Sequence, residues 1–213
     1  MADQSRKKGL KVEFVEVDRL FLDAENPRLS GIGEKGTQEE LVRVLWDEMA
    51  VSEVALSIAA NGYFEEEPLF VIPKLPRVSD EEKQQYIVVE GNRRLAAVKL
   101  LRDSELRRVV KATDLVEISA KQRRDLDELP VSIYPNKKAL WEYFGFRHVN
   151  GPKEWDSFSK ASYVADVKRE YGISLDEIAR KIGDQHSTVA RIYRGYVILE
   201  QAEKQTSFKK EDR

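Results

Sequence analysis

Tyr86-Ile87-Val88-Val89-Glu90-Gly91-Asn92-Arg93-Arg94-Leu95-Ala96-Ala97-Val98 is the stretch on which the fold turns. An aromatic and β-branched run, a polar turn and an alanine- and leucine-rich run make a strand, a sharp bend and a helix. Glycine at such a bend lets the backbone approach a ligand closely. The first amides of the helix are unpaired donors at its positive end. Arg93 and Arg94 add planar forks that suit phosphate oxygens. Gly91, Asn92, Arg93 and Arg94 therefore read as a phosphate-binding turn. The competing reading has the arginines pairing with carboxylates and Gly91 serving the bend alone. Glu90 either holds Mg²⁺ through one carboxylate oxygen, as the candidate metal ligand and catalytic residue, or pairs with an arginine.

Working outward, residues 12–22 alternate apolar and polar and predict a strand with a following turn. Asn26-Pro27-Arg28 is a turn tripeptide, because proline keeps its predecessor out of the helical region. Thr37-Gln38-Glu39-Glu40 is a capping box, opening a helix whose buried face carries Leu41, Val44, Leu45 and Met49. A second helix runs over 52–61 and stops at Gly62. Residues 68–73 make a buried strand between prolines. Glu65-Glu66-Glu67 is a solvated loop or the source of a general base. Beyond the central helix, 103–128 predicts one or two surface helices and 129–134 a last strand. The fold class expected is α/β (α+β), a mixed-sheet domain over 10–136. Residues 1–9 read as a disordered lead-in and 206–213 as a tail.

From residue 137 the pattern is helical, and it carries its own signature over 137–205. An amphipathic helix over 159–171 ends at Gly172. Ser174-Leu175-Asp176-Glu177 is a second capping box, followed by the stripe Leu175, Ile178, Ala179 and Ile182. Gly183 ends that helix, and another runs from about 187 past Leu199. Two short helices joined at a glycine, with a small residue where they cross, make a helix-turn-helix or an ordinary helical hairpin. In the first case Gln185, Ser187, Thr188, Arg191 and Arg194 face double-stranded DNA.

The net charge of −2 conceals an asymmetry: residues 137–213 hold 15 Lys and Arg against 12 Asp and Glu. The C-terminal part is thus the better candidate for a nucleic-acid contact. With no cysteine, disulfides, thiolate catalysis and cysteine metal sites are excluded. His148 and His186 are too few for a histidine-rich metal site. No apolar run approaches the roughly 20 residues that span a bilayer, and residues 1–8 lack the apolar core of a secretory signal. The expected setting is cytoplasmic and not the membrane.

In order, these pieces resemble the ParB/sulfiredoxin superfamily, and more closely the ParB-like partition proteins. Glu25-Asn26-Pro27-Arg28 resembles the first ParB box. Ala59-Ala60-Asn61-Gly62-Tyr63 through Pro68-Leu69-Phe70-Val71 resembles the helix–glycine–strand step. Glu90 to Ala97 is similar to the second box, and Trp155-Asp156-Ser157-Phe158-Ser159-Lys160-Ala161 to the segment after the third. The resemblance spans about 12–202. It implies a nucleotide pocket that takes CTP or ATP, with Arg28 reaching it from the first box, and a homodimer or a partner protein. It also implies DNA affinity that follows nucleotide state, and association with nucleoid or plasmid. Sulfiredoxin chemistry needs the cysteine this chain lacks. Free serine kinases of the same fold carry an acidic residue where Glu90 stands.

Two departures mark the chain. Asn92 replaces the glutamate usual in ParB, and Phe146-Arg147-His148-Val149-Asn150-Gly151 replaces a box that supplies Glu-Asn and a following arginine. Arg147, His148 or Asn150 can stand in for phosphate contacts, but the carboxylate is gone. The family's usual C-terminal dimerisation domain has no match in this sequence. The expected function is nucleotide-regulated DNA binding. The alternatives are a metal-dependent phosphotransferase, NTPase or nuclease, or a DNA-binding adaptor without nucleotide activity.

Overall fold

The computed structural model describes residues 11–26, 36–75, 84–149, 156–182, 184 and 188–205. They divide into two compact units, with the divisions at 24/25 and 136/137; residues 25 and 26 belong with the second.

The first unit is built on a five-stranded mixed sheet. Its strands are β1 (Val12–Glu16), β2 (Leu20–Leu22), β3 (Leu69–Pro73), β4 (Tyr86–Glu90) and β5 (Glu128–Ile133), in the order β1-β5-β3-β4-β2. β1 runs antiparallel to β5 and β3 antiparallel to β4; β3 with β5 and β2 with β4 are parallel. The single strand expected over 12–22 is two strands, parted by a 3₁₀ turn at Val17–Arg19. The turn is needed because β1 and β2 occupy opposite edges of the sheet.

Five helices accompany the sheet among the described residues: α1 (Gln38–Glu48), α2 (Val51–Asn61), α3 (Asn92–Arg102), α4 (Ser104–Val110) and α5 (Ala120–Asp125). The capping box of α1 is complete. Thr37 Oγ1 accepts from the Glu40 amide, and Glu40 Oε2 accepts from the Thr37 amide at 2.7 Å. The buried face of α1 is Leu41, Val42 and Leu45, with Val42 in place of the expected Val44 and Met49. α3 is buried on all sides through Leu95, Ala96, Ala97, Val98, Leu100 and Leu101. It packs on α1, α2, β2 and β4, so the site at its start is anchored to the core of the unit.

The second unit is all-α. A 3₁₀ turn (Lys137–Leu140) leads into α6 (Trp141–Phe144) and a π-helical segment (Gly145–Val149). Then come α7 (Ser157–Tyr171), α8 (Leu175–Ile182) and α9 (Thr188–Gln205). A Cβ on Gly145 would lie 2.2 Å from Ile182 Cγ2, so glycine allows the π-helical backbone to press against α8. Asp156 caps α7 by accepting from the Phe158 and Ser159 amides. Gly172 ends α7 in the left-handed region at φ 69°. α9 is tied to α7 by Arg169 Nη1 donating to Glu200 Oε1 at 2.7 Å and by the rings of Phe158 and Tyr196, 5.6 Å apart. Among the described residues no helix is long and apolar enough to cross a membrane.

Candidate functional site

The turn between β4 and α3 is fixed from two directions. Gly91 sits at the N-cap of α3 with φ 98°, where a side chain is disfavoured. A Cβ there would also fall 2.4 Å from Leu69 Cδ2 and 3.0 Å from Arg94 Nη2. With glycine in the cap, no side chain accepts from the first amides of the helix.

Asn92 is 5% exposed. Its Oδ1 accepts from the Asp23 amide at 3.1 Å, which ties this turn to the chain just after β2. Its Nδ2 is buried and has no hydrogen-bond partner among the described residues. Arg93 Nη2 donates to the Ala50 carbonyl at 3.0 Å. Ala50 is the left-handed residue between α1 and α2, at φ 47°. Arg93 Nε is likewise buried without a partner among the described residues. Two orphaned donors in one helical turn are unusual, because nearly all buried polar groups find a partner in protein, water or an ion.

Arg94 faces the loop before β3. Its Nη1 donates to Tyr63 Oη at 3.1 Å and to the Glu67 carbonyl, and lies 3.6 Å from Glu67 Oε2. Tyr63 Oη in turn donates to the Glu67 carbonyl at 2.9 Å. Burial pushes the Tyr63 phenol up to about 12, against the lowering effect of Arg94. The phenol is therefore a neutral donor at ordinary pH. Of the three glutamates expected in a solvated loop, Glu67 is thus a partner of Arg94.

Glu90 closes β4 opposite Phe70 and is half-buried. Among the described residues no three acidic, histidine or cysteine side chains gather to hold a metal ion. Mg²⁺ bound here would take one protein carboxylate and draw its other ligands from phosphates and water. Arg28 and Asn150 lie outside the described residues. In the second unit, Arg147 Nη1 donates to Tyr143 Oη at 2.8 Å. His148 is 2% exposed, with its ring 6.0 Å from that of Phe144.

Gln185 and Ser187 also lie outside the described residues. Thr188 begins α9 and is half-buried, followed by the fully buried Val189, whose amide donates to Asp184 Oδ2 at 2.7 Å. Arg191 and Arg194 are exposed on one face of α9. Arg194 Nε bonds only back to its own helix, at the Ala190 carbonyl. Glu200, a possible ion-pair partner for either, is taken by Arg169.

Sequence reasoning did not find Asp23, Ala50 or Tyr63 as neighbours of the turn. They lie 31 to 69 residues away in sequence, and the packing of α2 and β2 against α3 brings them to it.

No protein-family model matches the chain, and no curated protein matches its sequence. Solved structures do match. One is the C-terminally truncated chromosome-partitioning protein ParB from Caulobacter crescentus complexed to the centromeric parS site. It shares 15% identity at a TM-score of 0.44, over 89% of this chain and 79% of that one. Another is the C-terminally truncated Caulobacter crescentus ParB complexed with CTP-gamma-S, at 16% identity and a TM-score of 0.36, over 90% and 87%.

Proposed function

We propose that this protein is a nucleotide-regulated DNA-binding protein, seating the phosphates of CTP or ATP at the Gly91 turn and duplex DNA on α9. The observation that carries the nucleotide part is the pair of buried, unpartnered donors, Asn92 Nδ2 and Arg93 Nε, in the first turn of a helix that no side chain caps. An anion at that helix start meets its dipole and can accept from donors that otherwise bear an uncompensated desolvation cost. Gly91 permits the left-handed bend from which the helix starts. Mg²⁺, where present, rides with the triphosphate and touches Glu90.

The DNA part rests on α9, where Arg191 and Arg194 project to solvent. Thr188 at its start and Gln185 and Ser187 just before it in sequence are the proposed base contacts. Arg191→Ala is expected to cost about 1–3 kcal/mol of binding and to relax preference at one base pair if its contact is to guanine. Arg194→Ala is expected to weaken all sequences alike and to flatten the salt slope by about one. Normal affinity and slope in both variants would remove α9 as the reading head.

Calorimetry with CTP, ATP, GTP and UTP, with and without Mg²⁺, tests the pocket. Duplex binding over a salt series, repeated at saturating nucleotide, tests the regulation. One observation favours a second reading, a DNA-binding adaptor with an unused pocket. Arg93 and Arg94 are already spent on Ala50, Tyr63 and Glu67. Failure of all four nucleotides to bind, with DNA binding intact, would establish it.

A further inference from the structure

At the far end of α3 from Gly91, a cavity of about 200 Å³ opens between the start of α1, the end of α3 and the start of α4. Most polar groups around it are committed. Arg102 donates to Asp127 at 2.8 Å and to Asp18 at 3.2 Å. Asp103 Oδ1 caps α4 by accepting from the Glu105 and Leu106 amides. Gln38 exchanges hydrogen bonds with both backbone groups of Leu22.

Lys99 is the exception. Its amine has no ion pair among the described residues. Its one hydrogen-bond acceptor is the Val17 carbonyl, at the long distance of 3.5 Å, and the Phe21 ring lies 6.0 Å away. Burial lowers its pKa, and Asp18 and Asp103 only partly offset that. A lysine desolvated in this way holds more of the neutral, nucleophilic amine at neutral pH than an exposed lysine does.

We propose that this cavity is a second ligand site, in which Lys99 takes a small aldehyde as an imine. The Nζ lone pair forms the C–N bond at the carbonyl carbon while the π electrons move to oxygen. Nitrogen then gives up two protons, both of which end on the departing oxygen, and it leaves as water. No oxidant or reductant is required. Solvent carries those protons from nitrogen to oxygen. Val42 and Leu106 supply apolar wall for a short carbon chain.

Reductive methylation of the whole protein with limiting formaldehyde and cyanoborohydride at neutral pH, read by peptide mass spectrometry, tests this. Formaldehyde forms the same imine, which the hydride traps as a methylamine. Lys99 is expected to be modified several-fold faster than the exposed Lys111 and Lys121 in the same sample, and the excess should vanish in guanidinium chloride. Modification of Lys99 no faster than of those two lysines would overturn the site. An excess that survives unfolding would also overturn it, since the reactivity would then come from local sequence and not from the cavity.

Discussion

The starts of α1 and α3 lie in the same unit and are built in opposite ways. At α1 a threonine and a glutamate satisfy each other's backbone amides, and among the described residues no side-chain donor there is buried without a partner. At α3 the cap is a left-handed glycine that offers the amides no side chain, and two neighbouring side-chain donors are buried without partners among the described residues. The first arrangement stabilises the fold and commits the donors that an anion would need. The second leaves the fold short of acceptors at one place. The contrast separates a helix start that is structural from one that is available to an anion.

Gly91→Ala should show the largest effect. It combines left-handed backbone strain with a methyl group 2.4 Å from Leu69 Cδ2. A loss of about 2–4 kcal/mol of stability is expected in urea unfolding. An unchanged midpoint would mean that the turn relaxes freely, and that glycine is present only for the ligand. Next is Arg94→Ala. A charge-assisted phosphate contact is worth roughly 1.5–3 kcal/mol, so triphosphate affinity should fall about tenfold or more by calorimetry. Full affinity would return Arg94 to its role as a brace for Tyr63 and Glu67.

Thr37→Ala removes a cap of the other kind. It should cost about 1 kcal/mol of stability and leave nucleotide affinity unchanged. A change in affinity would erase the distinction between the two helix starts.

The smallest effect lies in the second unit. Burial, helped by the charge of Glu170, raises the Asp166 carboxyl to about 6. The folded protein therefore holds this proton more tightly than the unfolded chain does. The stability it contributes is fully present below the unfolded value, near 4, and is lost as pH rises through about 6. After allowance for solvent screening of a half-buried group, Asp166→Asn should gain roughly 1 kcal/mol at pH 8, and the gain should shrink toward pH 4. Equal gains at both pH values would show that Asp166 does not carry the linkage.

What was legible in the sequence was local. The capping box at Thr37, the stop at Gly172 and the strand–glycine–helix step at Gly91 each rest on residues within four positions of one another, and all three are present. The split of residues 12–22 was not legible, because β1 and β2 owe their separation to partners more than 60 residues downstream. The π-helical turn at Gly145 depends on Ile182, whose fit against a bare backbone leaves no trace in the pattern of either segment. At the candidate site the residue types were readable and their commitments were not. No local rule tells that Arg94 reaches Tyr63 and Glu67, or that Asn92 keeps one half of its amide occupied and the other half idle.

α3 has one more consequence, which concerns time. A helix enclosed on every side cannot fray into solvent, so its interior amides should exchange with deuterium only when the whole unit opens. α5, none of whose residues is buried, can exchange by local opening at far lower cost. Whatever arrives at either end of α3 therefore meets a rod that does not yield on the timescale of encounter. The give has to come from the segments around it, from residues 63–67 at one end and the 3₁₀ turn at Val17–Arg19 at the other.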